Sequence, residues 1–178
     1  YKDRDRYLSV SLDIVDEMNQ IVLEILSLSS VQELAGDKEW IQLDQVVEQI
    51  LDQYKVLAQS RALTIDNQIP AKPIYMDPAI LKLVLSNVIS NAVKHSDAGG
   101  EIQLRLEEEG THLAVENTSQ EMVETAEMPM SASRQKKEGG LGLFVVQHLL
   151  DHEELAYQFD KTAMGLRFRM ELPKEPQE

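Results

Sequence analysis

The chain has 178 residues, a formal net charge of −14 and no cysteine, which together exclude several classes of function. Such an acidic chain repels phosphate backbones and anionic lipid, so nucleic acid and membrane surfaces are not expected as partners, and disulfides and thiolate metal sites are impossible. No apolar run reaches the roughly 20 residues that a membrane-spanning helix needs, and the start at Tyr1 suggests a piece of a longer protein.

Residues 5–30 show the pattern of a long amphipathic helix, with apolar side chains at alternating spacings of four and three. Two neighbouring apolar rows make the apolar arc too wide for a two-stranded coiled coil, so we expect a helical bundle with several partners. No second long helix of this kind follows. The partner helices would then come from missing sequence or from a second copy of the chain. The alternative is packing against the domain that follows.

The next part of the chain predicts a compact domain that begins after a loop at residues 36–38. A helix is predicted over residues 43–60, a strand over 63–69 and a short strand over 74–76. Asp77 and Pro78 form a strong helix start, because Asp is a favoured N-cap and Pro fits the first helical position. The helix that they open is expected to continue to His95.

The C-terminal part predicts two hairpins around an irregular segment and a helix. The first hairpin covers residues 102–115, and the second covers residues 157–172 around Gly165. Residues 118–138 lack a period and are typical of a lid or binding loop. A glycine-rich stretch then opens a helix that ends near His152. This order predicts an α+β fold, in which a mainly antiparallel mixed sheet is covered on one face by helices and preceded by one long bundle helix.

One face of the predicted helix ending at His95 changes from apolar to polar along its length. Ile80 and Val84 are apolar, and the residues that follow them on that face are Asn87, Asn91, Lys94 and His95. This face would form the floor of a site for a polar ligand against an apolar wall. Alone, it fits equally well with a helix that leaves the core for solvent.

Two further segments suggest ligand contacts. Gly140 and Gly142 precede a helix, where backbone N–H groups and the helix dipole favour an anion, although glycines there often only make a turn. Asn117 follows a strand and has the donor and acceptor needed to read an adenine edge, or to cap a turn. His148 and His152 have a spacing that suits zinc, but no third ligand is evident and a solvated helix face is favoured.

Together these motifs resemble the catalytic and ATP-binding domain of bacterial sensor histidine kinases, members of the Bergerat-type ATPases. The resemblance rests on the Asn-x-x-x-Asn-Ala-x-Lys helix, the asparagine turn after a hairpin, the irregular lid, Gly-Leu-Gly-Leu before a helix, and the final Gly-Leu-Arg-Phe strand. Residues 1–35 are similar to the second helix of the family's dimerisation and phosphoacceptor hairpin. Residues 36–173 are similar to the ATP-binding domain, and residues 174–178 are a tail.

The resemblance implies a role for each matching position. Asn87 and Asn91 correspond to asparagines that hold Mg²⁺ on the ATP phosphates, and Asn87 stands where related ATPases keep a catalytic carboxylate. Lys94 corresponds to a residue near the phosphates or ribose. His95 replaces the usual Tyr and would stack on adenine. The other nucleotide-binding positions that the resemblance implies are Asn117, Gly140, Leu141, Gly142 and Leu143, while Gly165 and Phe168 match the last strand.

The chain departs from the family pattern at several of these positions. Asn117 replaces the Asp that bonds the adenine amino group, which keeps an acceptor but loses the charge. Ser119 and Gln120 stand near the missing glycines of the first glycine box, and Glu138 replaces the first glycine of the second box. A Met-Pro-Met sequence at residues 128–130 replaces the family's Phe-containing lid motif. These departures favour an alternative function, a degenerate kinase domain that acts as a dimerisation or partner-binding module.

The resemblance implies transfer of the ATP γ-phosphoryl group to a histidine, followed by relay to a response regulator. The four histidines are His95, His112, His148 and His152, so none lies on the N-terminal helix and the phosphoacceptor is absent from this chain. The chain alone is therefore not expected to phosphorylate itself. The implied partners are a second copy of the chain, through the N-terminal helix, and the regulator. The implied location is the cytoplasmic part of a membrane sensor, and a second alternative is transfer to serine on a protein partner.

Overall fold

The computed structural model describes residues 36–119 and 141–174. The long helix predicted over residues 5–30 lies outside this part of the chain, as do Gln120, Glu138 and Gly140 and nearly all of the predicted lid. Thr118 and Ser119 are described, and Thr118 is the last residue of a strand and not part of a lid. Among the described residues, no helix combines the length and apolarity needed to cross a membrane.

The described residues form three α-helices and seven strands in an alternating order. The helices are α1 (Leu43–Ser60), α2 (Pro78–His95) and α3 (Leu141–His152). The strands are β1 (Glu39–Gln42), β2 (Thr64–Asn67), β3 (Pro73–Met76), β4 (Glu101–Glu107), β5 (His112–Thr118), β6 (Tyr157–Lys161) and β7 (Gly165–Glu171). These bounds confirm the three helices predicted within the described residues and both predicted hairpins.

Five of the strands make one mixed sheet in the order β2-β4-β5-β7-β6. Strands β2 and β4 are parallel, and the other neighbours are antiparallel. The predicted α+β class with a mainly antiparallel mixed sheet is therefore confirmed. The sequence analysis missed β1, which pairs with β3 in a separate two-stranded sheet, so the strand at residues 74–76 does not join the main sheet.

Helix α2 is the central helix of the domain because it is apolar on a wide arc. The Asp77 carboxylate accepts hydrogen bonds from the N–H groups of Ala79 at 2.7 Å and Ile80 at 3.3 Å, which confirms the predicted cap. The buried residues of α2 are Ile80, Leu81, Val84, Leu85, Val88, Ile89, Ala92 and Val93. They pack against α1, α3 and β5, so the position of α2 is fixed on several sides.

The two faces of the main sheet differ in chemistry. On β5, Leu113 and Val115 are buried in the hydrophobic core beneath the helices, and the alternate residues Ala114 and Glu116 point to the opposite face. There Glu116 accepts a hydrogen bond from Arg105 at 2.9 Å and another from the Thr162 hydroxyl. The alternation along β5 therefore separates a helix-facing row from a row of ion-paired side chains.

The residues that lead into the domain, 36–42, are attached to the ends of two helices; we call them the leading segment. The Gly36 N–H donates to the Asp77 carboxylate at the start of α2. Lys38 forms an ion pair of 2.9 Å with Glu153, the residue that directly follows α3. The side chain of Glu153 is 5% exposed. Strand β1 then pairs with β3. The leading segment is thus fixed to both helices that carry the predicted glycine and asparagine motifs.

Candidate functional site

Asn87 and Asn91 lie half-buried on one face of α2, beyond the buried Ile80 and Val84 of the same face. The Asn87 side-chain Nδ2 donates a hydrogen bond of 2.8 Å to the Leu83 carbonyl one turn earlier. This bond fixes the orientation of the carboxamide, so its Oδ1 points away from the helix backbone. A carboxamide oxygen in that orientation is available as an acceptor or as a ligand for a hard cation.

The first turn of α3 lies directly against these two asparagines, and a glycine permits the contact. A Cβ atom built at Gly142 would lie 2.7 Å from the Asn87 Oδ1 and 3.6 Å from the Asn91 Nδ2. Any larger residue at this position would displace the Asn87 amide. The structure therefore brings together three residues that the sequence analysis selected from two separate motifs.

The same contact sets the electrostatics of the site. Helix α3 has 12 residues, so its first turn carries the partial positive charge and free N–H groups typical of a helix N-terminus. The facing side chains of Asn87 and Asn91 are neutral. A chain with a net charge of −14 thus presents a surface here on which an anion is not repelled by the nearest side chains.

Lys94 and His95 lie exposed in the last turn of α2, one turn beyond Asn91. The Lys94 ammonium interacts favourably with the helix dipole at this C-terminus. The backbone then turns toward the sheet, and the Asp97 N–H donates to the Thr118 carbonyl at 3.0 Å. The polar end of α2 is therefore tied to the end of β5.

Asn117, the last predicted site residue of the sheet, is buried near this junction at 7% exposure. Its Nδ2 has no hydrogen-bond partner within residues 36–119 and 141–174. The same holds for the hydroxyl of Ser119, which is 9% exposed. The prediction noted Ser119 only as standing near a missing glycine. Ser119 directly follows the end of β5, and its N–H donates to the Met164 carbonyl at 3.4 Å.

Gly165 holds this end of β5 close to β7. A Cβ atom at Gly165 would lie 2.2 Å from the Asn117 carbonyl oxygen and 2.4 Å from the Ser119 nitrogen. Both are backbone atoms, so they cannot move aside as the tip of a side chain can. The need for glycine at residue 165 is therefore steric, and the backbone of the Asn117 region is positioned by direct contact with β7.

The remaining predicted site residues and the two histidines with zinc-like spacing lie on α3 or directly before it in the sequence. Leu141 begins α3, Leu143 lies in its first turn half-buried, and Gly140 lies outside the described residues. The His148 ring stacks on Phe144 with centroids 6.3 Å apart, and His152 lies 3.4 Å from Glu153. Within the described ranges, no cluster of three or more His, Cys, Asp or Glu side chains is arranged to hold a metal.

A separate groove lies between α1 and α2. Its lining residues are Gln49, Ile50, Gln53, Ala79, Lys82, Leu83 and Ser86. None of the predicted site residues contributes to it. The groove is thus distinct from the polar surface between α2 and α3, where the sequence motifs converge.

Comparison with known proteins gives relatives with the same domain. Sensor histidine protein kinase HK06 of Streptococcus pneumoniae is 30% identical over 181 residues, a region that covers 97% of this chain and 40% of HK06. Sensor protein VanSB of Enterococcus faecalis is 30% identical over 187 residues, which cover 97% of this chain and 42% of VanSB. The chain therefore spans about two fifths of the length of the curated relatives that it matches.

A solved structure and a family description agree with these relatives. The complex of histidine kinase ThkA with response regulator protein TrrA matches with a TM-score of 0.69 at 18% identity, covering 95% of this chain and 51% of that chain. At this identity the likeness shows the fold. Residues 76–176 match the family described as histidine kinase-, DNA gyrase B-, and HSP90-like ATPase. This match covers more than half of the sequence and includes α2, β5 and α3, so the chain belongs to that family.

Proposed function

We propose that the chain is the ATP-binding part of a two-component sensor histidine kinase. The observation that carries the proposal is the contact between α2 and α3, where the oriented Asn87 carboxamide faces the N-terminal turn of α3 at Gly142. A polyphosphate is the kind of ligand that suits a helix N-terminus beside neutral oxygen ligands. The relatives HK06 and VanSB, both named as sensor proteins, support the class of reaction.

In the proposed reaction the bond between the γ-phosphorus and its bridging oxygen breaks, and a bond to an imidazole nitrogen forms. ADP leaves with the bridging oxygen. Such transfer relies mostly on positioning and on stabilisation of charge. The α3 N-terminus would bind the phosphates, Asn87 and Asn91 would position them from α2, and Lys94 would lie near the phosphates or ribose. His95 and Asn117 would contact the base at the other end of the site.

Mg²⁺ is the cation that we propose to accompany the nucleotide, and the residues present fit it. Mg²⁺ prefers oxygen ligands and keeps several waters, so it needs few ligands from the protein. The Asn87 Oδ1, which faces the first turn of α3, would be such a ligand, and Asn91 follows Asn87 one turn later. The phosphates would supply the remaining charge. When bound, the cation would neutralise charge on the phosphoryl group during transfer.

The partners and location of the whole protein belong to the same proposal. The solved ThkA complex contains a response regulator, which supports a regulator as the partner that receives the phosphoryl group. The acceptor histidine would come from a segment outside this chain, and residues 1–35 would pair with a second copy of the chain. We place the domain on the cytoplasmic side of a membrane-linked sensor.

Calorimetry with Mg²⁺ and a non-hydrolysable ATP analogue tests the binding step. We expect the wild-type chain to bind, and Asn87→Ala and Asn91→Ala each to weaken binding by roughly 10–100-fold, as for other groups that position a metal. Gln45→Ala removes an exposed carboxamide from α1 and is the matched control. No binding at millimolar nucleotide would exclude the kinase and leave the domain as a degenerate partner-binding module.

The transfer step requires the full-length protein and ATP labelled at the γ-phosphate. We expect incorporation of label that is lost in acid, because phosphohistidine is acid-labile. An acid-stable label would instead indicate transfer to serine. Asn87→Ala in the full-length protein should abolish incorporation without changing thermal unfolding by more than a few degrees.

A further inference from the structure

Two buried polar groups at the end of β5 have no hydrogen-bond partner in the described part of the chain. They are the Asn117 Nδ2 and the Ser119 Oγ, on residues that are 7% and 9% exposed. Burying a polar group without a partner is costly, and nearly all such groups in folded proteins are satisfied. Their arrangement is explained if a bound ligand supplies the missing partners.

The Asn117 side chain lies on the helix-facing side of the sheet, and Ser119 directly follows the end of β5 at Thr118. Asn117 continues the row of Leu113 and Val115, which are buried in the core, whereas Glu116 points to the opposite face and bonds Arg105. The hydrogen bond from the Asp97 N–H to the Thr118 carbonyl places this end of β5 beside the polar end of α2. The unpartnered groups are therefore next to the surface that carries the asparagine pair of α2.

The backbone at this position is in close contact with β7, which places the two groups before a ligand binds. Gly165 approaches so closely that a Cβ atom there would lie within 2.4 Å of both the Asn117 carbonyl oxygen and the Ser119 nitrogen. A ligand would thus meet side chains whose main chain is already in place. Recognition groups that are positioned before binding lose little entropy on binding.

Each of the two groups can both donate and accept a hydrogen bond. A carboxamide has an N–H₂ donor and an oxygen acceptor, and a hydroxyl rotates to do either. The Asn87 carboxamide is fixed by its bond to the Leu83 carbonyl, but no such bond fixes Asn117 within residues 36–119 and 141–174. The Asn117 amide is therefore free to present either end to a base.

Such an amide matches two kinds of purine edge. A 6-amino purine offers an N–H donor at position 6 and an acceptor at N1. A 6-oxo purine offers the reverse, an acceptor at position 6 and a donor at N1. Rotating the amide by half a turn satisfies either pair. A carboxylate can only accept, so an oxygen opposite position 6 would bond a 6-amino group and repel a 6-oxo group.

We propose that Asn117, with Ser119 beside it, makes the base end of the site tolerant of both 6-amino and 6-oxo purines, so that GTP competes with ATP. This inference rests on the proposed nucleotide-binding function. It makes Asn117 the residue that sets base specificity and Ser119 a second contact that strengthens binding of either base.

Calorimetry on the whole chain with Mg²⁺ and non-hydrolysable analogues of ATP and GTP tests this proposal. We expect the two dissociation constants of the wild type to agree within about tenfold. Asn117→Asp should weaken the GTP analogue relative to the ATP analogue by about tenfold or more, because a carboxylate oxygen opposite position 6 would accept from the 6-amino group and repel the 6-oxo group. Ser119→Ala should weaken both analogues by similar factors and leave their ratio unchanged.

Asn67→Asp is the matched control for Asn117→Asp. It adds the same charge at the exposed end of β2. The new carboxylate can still accept the hydrogen bond that the Ile69 N–H donates to Asn67 in the wild type. The control should leave the ratio of the two dissociation constants unchanged. A wild type that prefers ATP by more than about a hundredfold, or an unchanged ratio in Asn117→Asp, overturns the inference alone. Failure of both analogues to bind overturns the proposed function as well.

Discussion

Replacing Gly142 with alanine should disturb the site while leaving the stability of the fold nearly unchanged. The added Cβ would lie 2.7 Å from the Asn87 Oδ1. To reach the roughly 3.5 Å at which non-bonded heavy atoms are in optimal contact, the oxygen would have to retreat by about 0.8 Å. That movement disturbs the bond from the Asn87 Nδ2 to the Leu83 carbonyl, which is 2.8 Å long.

The effect on folding should be small because two contributions oppose each other. Alanine favours the helix over glycine by up to about 1 kcal/mol. Loss of the Asn87 hydrogen bond costs about 1 kcal/mol. We therefore expect the free energy of unfolding of Gly142→Ala to stay within about 1 kcal/mol of the wild type. The affinity for the Mg²⁺ complex of an ATP analogue should fall by roughly 10–100-fold, because a proposed ligand group is displaced.

The two quantities are measured on the same preparation, by urea unfolding and by calorimetry. Gly36→Ala is the matched control, since a Cβ atom there meets only an ordinary contact of 3.6 Å with the Asp77 carboxylate. That variant should bind the analogue like the wild type. A Gly142→Ala protein that folds and binds with unchanged affinity would refute the role of the contact between α2 and α3.

Three further substitutions test other parts of the structure. Gly165→Ala should lower the free energy of unfolding in urea by about 3 kcal/mol or more, because the new Cβ meets the Asn117 carbonyl oxygen and other backbone. Asp77→Ala should lower it by about 2 kcal/mol, since Asp77 is 1% exposed and caps α2. Burial, the charge of Asp151 and a hydrogen bond to Asp151 raise the pKa of Tyr157. As the pH rises, the unfolded chain therefore loses the Tyr157 proton at a lower pH than the folded chain does. Stability from the neutral hydroxyl should be complete below a pH of about 10, the unfolded pKa, and decline as the pH rises through the folded pKa. Tyr157→Phe should flatten this loss in urea titrations at rising pH.

Each of these expectations has a distinct contradicting result. A Gly165→Ala protein as stable as the wild type would mean that β5 and β7 separate at little cost. Asp77→Asn should retain most of the stability, since Asn caps helices as well as Asp. If Asp77→Asn loses as much free energy of unfolding as Asp77→Ala, the charge of Asp77 stabilises the fold and not its capping hydrogen bonds. If the free energy of unfolding of Tyr157→Phe depends on pH as that of the wild type does, Tyr157 does not cause the loss of stability at high pH.

Much of the fold could be predicted because its signals are local. The cap of α2 and the alternating strands of the hairpins are properties of adjacent residues, and both were found. Strand β1 was missed because Glu39–Gln42 has only four residues and is defined by its partner β3, which is 31 positions away at the Gln42–Pro73 end of the register. The parallel pairing of β2 with β4 is likewise a contact between distant segments, which a periodic pattern does not reveal.

The site was predictable as a set of residues but not as a geometry. The spacing of Asn87 and Asn91 placed them on one face of a helix, as observed. Nothing in the sequence indicated that Gly142 would touch Asn87, because that contact depends on how α3 packs on α2. The sequence also did not show why residue 165 is glycine. That reason appears only when β7 is placed beside Asn117.

The leading segment determines where a shortened form of this domain can begin. The family match starts at residue 76, but β1 and α1 precede it, and α1 contributes Leu43, Val47 and Ile50 to the core. Cutting the chain at the start of the match would expose the side of α2 that α1 covers. Cutting it just before Leu43 would still remove the N–H that Gly36 donates to Asp77 and the ion pair from Lys38 to Glu153. The smallest fragment that retains every attachment of α2 and α3 seen here therefore begins no later than Gly36, which sets the boundary for limited proteolysis and for fusion to other helices.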